Sequence, residues 1–218
     1  MQSLKILGSQ FITHDVKQIV LEKPEGFIYR PGQSGHISIN KEGWQDKIRP
    51  FTFTSLNEWP HLELIIKIYE ERGGVTNQIG KMHIGDELLL HDVFGSVEYK
   101  GPGIFIAGGT GITPFIAIFR ALYYSQNLRN VGLLYSNRTA NDIILGQELF
   151  KMLGPAYVNV FTRQGVIGFK ERKIDRDLLI ELIANFDTRF YVCGPKSFTE
   201  EICASLVELG ANPQSLII

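Results

Sequence analysis

In "GGTGITPF", residues 108–115, three glycines stand within four positions directly after the apolar run "GIFIA". The pair Gly109-x-Gly111 lets the main chain pass close to a ligand. Thr113 and Pro114 have the character of an N-cap followed by the residue favoured at the first helical position. A helix starting there turns unpaired N–H groups and a partial positive charge toward a phosphate. Pro114 stands where the usual dinucleotide fingerprint has its third glycine, so the match to that fingerprint is incomplete. A tight turn with no ligand explains the same residues. Three other stretches bear on the choice. "RPFTFTS" (residues 49–55) joins Arg49 and Pro50 to alternating hydroxyls, "GGVTNQI" (73–79) offers a Gly73-Gly74 turn with Thr76 after Val75, and "YVCGP" (191–195) ends an apolar run on Cys193, Gly194 and Pro195. Each has a plain reading: a surface arginine on an edge strand, an ordinary turn, a buried cysteine. Their occurrence together, in this order, favours a phosphate-bearing ligand.

These residues need elements to hold them, and the chain has two rhythms. Up to residue 98 it reads as short β-branched and aromatic runs, "VKQIVLE", "GHISIN", "PFTFTS", "HLELIIKIY" and "DELLLHDV", separated by Gly, Pro and Asn. Such spacing predicts a small antiparallel β-barrel, with "GGVTNQIGKM" as a short helix between strands. From residue 99 strand-like runs alternate with helical periods, the pattern of an α/β domain with a parallel sheet. The expected domains are therefore 1–98 and 99–218. Ser197 with Glu200 fits a capping box, Gly210 suits a C-terminal cap, and Asp175 with Asp177 suits a helix start.

Composition narrows the function classes. The 218 residues are 44% hydrophobic with a formal charge of −1, which offers no whole-molecule case for nucleic acid or membrane. Only Cys193 and Cys203 occur, too few for a disulfide framework or a self-held iron–sulfur cluster. The five histidines (14, 36, 61, 83 and 91) show no ligand spacing, so no metal is expected. The N-terminal residues lack the apolar region of a signal peptide, and no apolar run reaches the roughly 18 residues of a spanning helix. The expectation is a cytoplasmic monomer.

At these motifs the chain resembles the ferredoxin–NADP reductase superfamily, specifically its short flavodoxin or ferredoxin reductases, over almost its whole length. The resemblance implies a flavin-binding β-barrel domain followed by an NAD(P)-binding α/β domain. The family's Arg-x-Tyr-Ser/Thr flavin motif matches Arg49, Phe51 and Thr52, with phenylalanine replacing tyrosine. Arg49 is then expected to pair with flavin phosphate and Thr52 to hydrogen-bond near flavin N5. The Gly-x-x-Ser/Thr motif matches Gly73 and Thr76, around Gly74 and Val75, as the pyrophosphate site. Gly-Thr-Gly-x-x-Pro matches Gly109, Thr110, Gly111 and Pro114, and Cys-Gly matches Cys193 and Gly194 beside the nicotinamide, with Pro195 following. The implied cofactor is FAD, with FMN as the alternative. Thr52 and Cys193 are the implied catalytic residues, Cys193 as a packing thiol rather than a nucleophile.

The implied activity passes electrons from NAD(P)H through flavin to flavodoxin or ferredoxin. Reduction of free flavin or another small acceptor, and a non-catalytic flavoprotein subunit, are the alternatives. Five basic residues (Arg163, Lys170, Arg172, Lys173 and Arg176) stand against two acidic ones between positions 163 and 176. With Thr162 and Arg138 nearby, and no acidic residue directly after "GLLYS", a preference for NADPH over NADH is expected, carried mainly by Arg163 and Arg172; a solvated basic loop is the plainer reading. The last residues, "SLII", contain no aromatic ring to lie over the flavin.

Overall fold

The computed structural model describes residues 1–95, 97–163 and 171–218. Six antiparallel strands form the first half: β1 (Gln2–Phe11), β2 (Val16–Glu22), β3 (Gln33–Ile39), β4 (Arg49–Thr52), β5 (His61–Lys67) and β6 (Glu87–Gly95). Their order is β4-β3-β6-β1-β2-β5, and a bridge between Phe53 and Leu64 closes the two edges on one another. A closed sheet leaves its inward residues to make the core. Leu4, Ile6, Ile19, Leu21, Ile37, Phe53, Leu62 and Leu64 do so. β1 forms where the sequence shows no long alternation; Leu4 and Ile6 alone turn inward, and the partner strands supply the rest. A short helix, α1 (Val75–Gly80), follows β5 and sinks Val75 and Ile79 into the same core.

Five parallel strands form the second half: β7 (Gly103–Gly108), β8 (Gly132–Asn137), β9 (Tyr157–Phe161), β10 (Arg189–Cys193) and β11 (Leu216–Ile217). Their order is β11-β10-β7-β8-β9. The first strand in sequence therefore lies mid-sheet, with β8 on one side and β10 on the other, the arrangement that opens a crevice at the strands' carboxyl ends. Side chains alternate along β7: Phe105 and Ala107 enter the core beneath α2 (Thr113–Tyr124) and α3 (Gly146–Leu153), while Ile104 and Ile106 face α4 (Arg176–Leu182) and α5 (Lys196–Glu208). The Phe105 ring stacks on Tyr191 at 4.1 Å. Val16, Ile65 and Val97 of the first half belong to the core under α2, so the two halves share buried apolar surface.

Helix ends show where local signals yield to tertiary geometry. Asp175 accepts from the Leu178 N–H at 2.9 Å, as an N-cap should. Gly210 has φ +98°, and the N–H groups of Gly210 and Ala211 close onto Val207 and Leu206. Two expectations are corrected. The chain does not pass directly from β7 into a helix capped by Thr113. A 3-10 turn (Gly109–Ile112) intervenes, Thr113 is already helical, and its hydroxyl donates to the Thr110 carbonyl at 3.0 Å. Ser197 makes no capping box either. Pro195 takes the cap position with extended backbone, its carbonyl receives the Thr199 N–H, and Ser197 lies inside α5.

Candidate functional site

The carboxyl ends of β7, β8 and β9 face the first half across a cleft of about 430 Å³. Gly108, Gly109, Thr110, Arg138, Thr162 and Pro195 line it from the α/β side; Asp15, Lys67, Tyr69 and Arg72 line it from the barrel side. The motif glycines divide by what surrounds them. A Cβ on Gly111 would stand 2.2 Å from the Cys193 carbonyl oxygen, so the 3-10 turn can pass the end of β10 only without a side chain. Gly108 and Gly194 face the Phe198 ring, where a Cβ would lie 3.1 Å and 2.6 Å away. Packing closes Gly111 and Gly194, and Gly108 is tight against the ring. Gly109 is different: its φ is +54° and, among the described residues, no atom beyond its chain neighbours lies within 4 Å of its missing Cβ. It is open backbone on the cleft wall. Pro114 is buried in the first turn of α2.

The barrel motifs sit on β4 and at the start of α1. Arg49 is exposed, and its guanidinium donates to the Ile48 carbonyl at 2.7 Å. Pro50 pairs with His36 and Phe51 with Gly35 across the β3–β4 ladder. Phe51 is half-buried against the barrel core, whereas the Thr52 hydroxyl lies 3.0 Å from that of Ser34. Gly73 (φ +58°) and Gly74 have open space around their missing Cβ atoms, Val75 anchors the turn in the core, and Thr76 is half-buried. Among the described residues no side chain caps this end of α1. An exposed arginine and open glycine backbone are the kinds of group that a pyrophosphate takes, so the residues fit the dinucleotide that the resemblance implies.

Cys193 ends β10 half-buried, and burial pushes its thiol up to about 11. It stays protonated at neutral pH, which suits a packing role and not a nucleophile. The basic residues differ in what holds them. The Arg163 N–H donates to the Arg138 carbonyl, and Thr162 bonds the Asn137 carbonyl, so these three meet where β8 and β9 end. The Arg172 N–H also reaches this strand end, donating to the Phe161 carbonyl at 2.8 Å, while its guanidinium donates to Glu181 on α4 at 2.6 Å. Lys170 lies outside the described residues.

Sequence reasoning missed the barrel wall of this cleft. Lys67 pairs with Asp15 at 2.5 Å, and His14 lies 3.5 Å from Asp15 and 3.9 Å from Asp142 of the other half. Ligand atoms of His14, Asp15 and Asp142 fall within 4.8 Å of one another; the Lys67 ammonium already accounts for one of the carboxylates. Lys67 interrupts the apolar run "LIIKIY" (residues 64–69), and nothing in that pattern marks it as a cleft residue.

Two family descriptions divide the chain: "Oxidoreductase FAD-binding domain" matches residues 3–99 and "Oxidoreductase NAD-binding domain" matches 105–204. NADH-cytochrome b5 reductase 1 of Candida glabrata is 31% identical, over 80% of this chain and 67% of that protein. The chain belongs to the ferredoxin–NADP reductase superfamily. Within it, NADH–cytochrome b5 reductase 1 of Arabidopsis thaliana is 28% identical over 98% of this chain and 82% of its own length. The chain spans only 56% of the Kluyveromyces lactis relative, which is 31% identical. Two solved structures share the fold: the FAD/NAD-binding domain of Vibrio cholerae nitric oxide dioxygenase (TM-score 0.86, 22% identity, 99% of this chain and 96% of that one) and a Neisseria gonorrhoeae ferredoxin NADP+ reductase with bound FAD and NADP (0.82, 21%, 96% and 91%). This superfamily member is accordingly a flavin-dependent NAD(P)H oxidoreductase. Among the described residues no helix is long and apolar enough to cross a membrane.

Proposed function

We propose that this reductase takes hydride from NAD(P)H onto FAD and passes the electrons singly to a protein carrier. The observation that carries the reading is the cleft between the halves, walled on the α/β side by open Gly109 backbone and on the barrel side by the segment running into Gly73 and Gly74. The flavin, once bound, supplies the conversion from a two-electron donor to one-electron delivery. Arg49 would hold its phosphate, the open backbone of Gly73 and Gly74 with Thr76 would admit the pyrophosphate, and Phe51 would wall the ring. The Thr52 hydroxyl, paired with Ser34, would offer its remaining hydrogen-bonding capacity to N5. The turn at Gly109–Ile112 receives the coenzyme's phosphates, and Cys193 packs beside the nicotinamide without charge.

The purified protein is expected to be yellow and to release FAD on denaturation. Arg49→Ala should weaken FAD binding by roughly 1–3 kcal/mol, the worth of a charge-assisted contact. Recovery of FMN alone, or no flavin after reconstitution, overturns the cofactor. Thr52→Ala and Cys193→Ala should keep flavin bound yet slow its reduction in stopped flow, by about 10²–10³ where a transition-state contact is lost and less for the thiol. Parental rates in both variants remove these roles.

The carrier is a one-electron protein, flavodoxin or ferredoxin by the motifs and a cytochrome b5 by the names of the similar proteins. Steady-state turnover with each, and with free flavin, separates them. For the coenzyme, Arg138, Thr162 and Arg163 support a preference for the 2′-phosphate of NADPH; the Arg172 guanidinium is engaged by Glu181, and the similar cytochrome b5 reductases are named for NADH. The expected outcome is a higher kcat/KM with NADPH, lowered about tenfold or more in Arg163→Ala while NADH turnover holds. A parent that favours NADH overturns this part alone.

A further inference from the structure

Arg120 lies on α2, six residues after Pro114, and is 4% exposed. Its guanidinium spans the two halves. One nitrogen donates to the Thr54 carbonyl at 2.7 Å and to Glu63 Oε1 at 2.6 Å, both in the barrel. The others make a fork onto Glu148 of α3, at 2.6 Å and 2.9 Å. The plane also lies over the Trp59 ring at 4.8 Å. Glu63 is held from two further directions, by the Thr54 hydroxyl at 2.7 Å and the Gln18 amide at 2.6 Å. Four of its five N–H groups are therefore engaged, and the two that enter the barrel meet the Thr54 carbonyl and a carboxylate that is itself held.

The connectivity gives the network a consequence beyond stability. Thr54 stands two residues after Thr52 on the segment that follows β4. The helix bearing Arg120 begins directly after the Gly109–Ile112 turn. The guanidinium thus ties the strand that presents the flavin motif to the helix that presents the coenzyme motif. A lysine in its place could reach one carboxylate but not fork to another while bonding a carbonyl.

We propose that Arg120 is a positioning residue for hydride transfer, setting the separation between the flavin strand and the coenzyme turn. This rests on the flavin–nicotinamide reading above. Misplacement by about 1 Å can slow such a step up to about 10²-fold without touching the reacting groups. The double variant Arg120→Met/Glu63→Gln removes the tie without stranding a buried carboxylate, and Arg120→Lys keeps the charge but loses the fork. Both are loaded with FAD and mixed with NADH or NADPH in stopped flow, well below their unfolding temperatures. Three quantities are read: the FAD dissociation constant by fluorescence, the half-saturating coenzyme concentration, and the limiting rate of flavin reduction.

The expected result is a limiting rate about tenfold or more below the parent, with FAD affinity and half-saturation within about twofold, and a weaker long-wavelength flavin–nicotinamide absorbance before reduction. Parental limiting rates in the variants overturn the inference. A loss of rate matched by an equal loss of FAD affinity also overturns it, because that is the signature of a merely structural role. If the double variant does not fold, Arg120→Lys is decided by the same criteria. A parent that neither NADH nor NADPH reduces, once loaded, removes the flavin–nicotinamide reading and the inference with it, which distinguishes that failure from a change confined to the variants.

Discussion

Gly111→Ala should destabilise the α/β half by about 3 kcal/mol, the upper range for forcing a methyl group into a packed site. The added carbon would lie 2.2 Å from the Cys193 carbonyl oxygen and 2.7 Å from the Gly194 Cα. Both are main-chain atoms of β10 and its exit, which cannot rotate away as a side chain can. Gly109→Ala, two residues earlier, meets no atom within 4 Å and carries only the cost of a left-handed backbone at φ +54°, roughly 1–2 kcal/mol. Its effect should fall instead on the ligand: a methyl group on the cleft wall blocks close approach of a phosphate, and coenzyme affinity should drop tenfold or more, or about 1.4 kcal/mol. Urea midpoints and coenzyme titrations of the FAD-loaded variants measure both. Equal destabilisation by the two substitutions, or parental coenzyme affinity in Gly109→Ala, would show that the division between packing and ligand-facing glycines is wrong.

The second large effect is expected at Arg120. Arg120→Ala leaves the Glu63 carboxylate buried without its cation, and breaking a buried pair in this way costs about 3–5 kcal/mol. The Arg120 and Glu63 side chains are each 5% exposed, so water cannot readily replace the lost partner. Glu148, at 35%, can turn to solvent and should contribute little. Adding Glu63→Gln to Arg120→Ala should therefore recover part of the loss, since a neutral amide still bonds Thr54 and the Gln18 amide can turn to meet it. Thermal or urea unfolding of the two single variants and the double variant checks this. A double variant no more stable than Arg120→Ala would mean that the stranded carboxylate is not the source of the cost.

Much of this molecule follows from local pattern. β2 coincides with "VKQIVLE", and β8, β9 and β10 fall where apolar runs precede helical periods. Where local signals misled, the cause was the backbone path. The left-handed Gly109 starts a 3-10 turn, so Thr113 enters α2 already helical, and Pro195 pre-empts the cap that Ser197 was expected to make. A capping motif states which side chains can bond; it does not state the dihedral angles with which the chain arrives.

By itself the sequence determined the alternation of short strands and the change to strand–helix units, because periodicity and glycine placement are written along the chain; Arg49, Thr52, Gly73, Gly109 and Cys193 it offered as candidates, through their motifs and the family resemblance those carry. The tertiary structure decided which glycines are closed by packing and which are open, that Arg172 meets Glu181 while Arg138 and Thr162 line the cleft, and that Lys67, Asp15 and Arg120 belong to the meeting of the two halves. Arg120 and Glu63 are 57 residues apart. A long-range ion pair has no period and no spacing rule, and only the packing of α2 against the barrel brings its partners within reach.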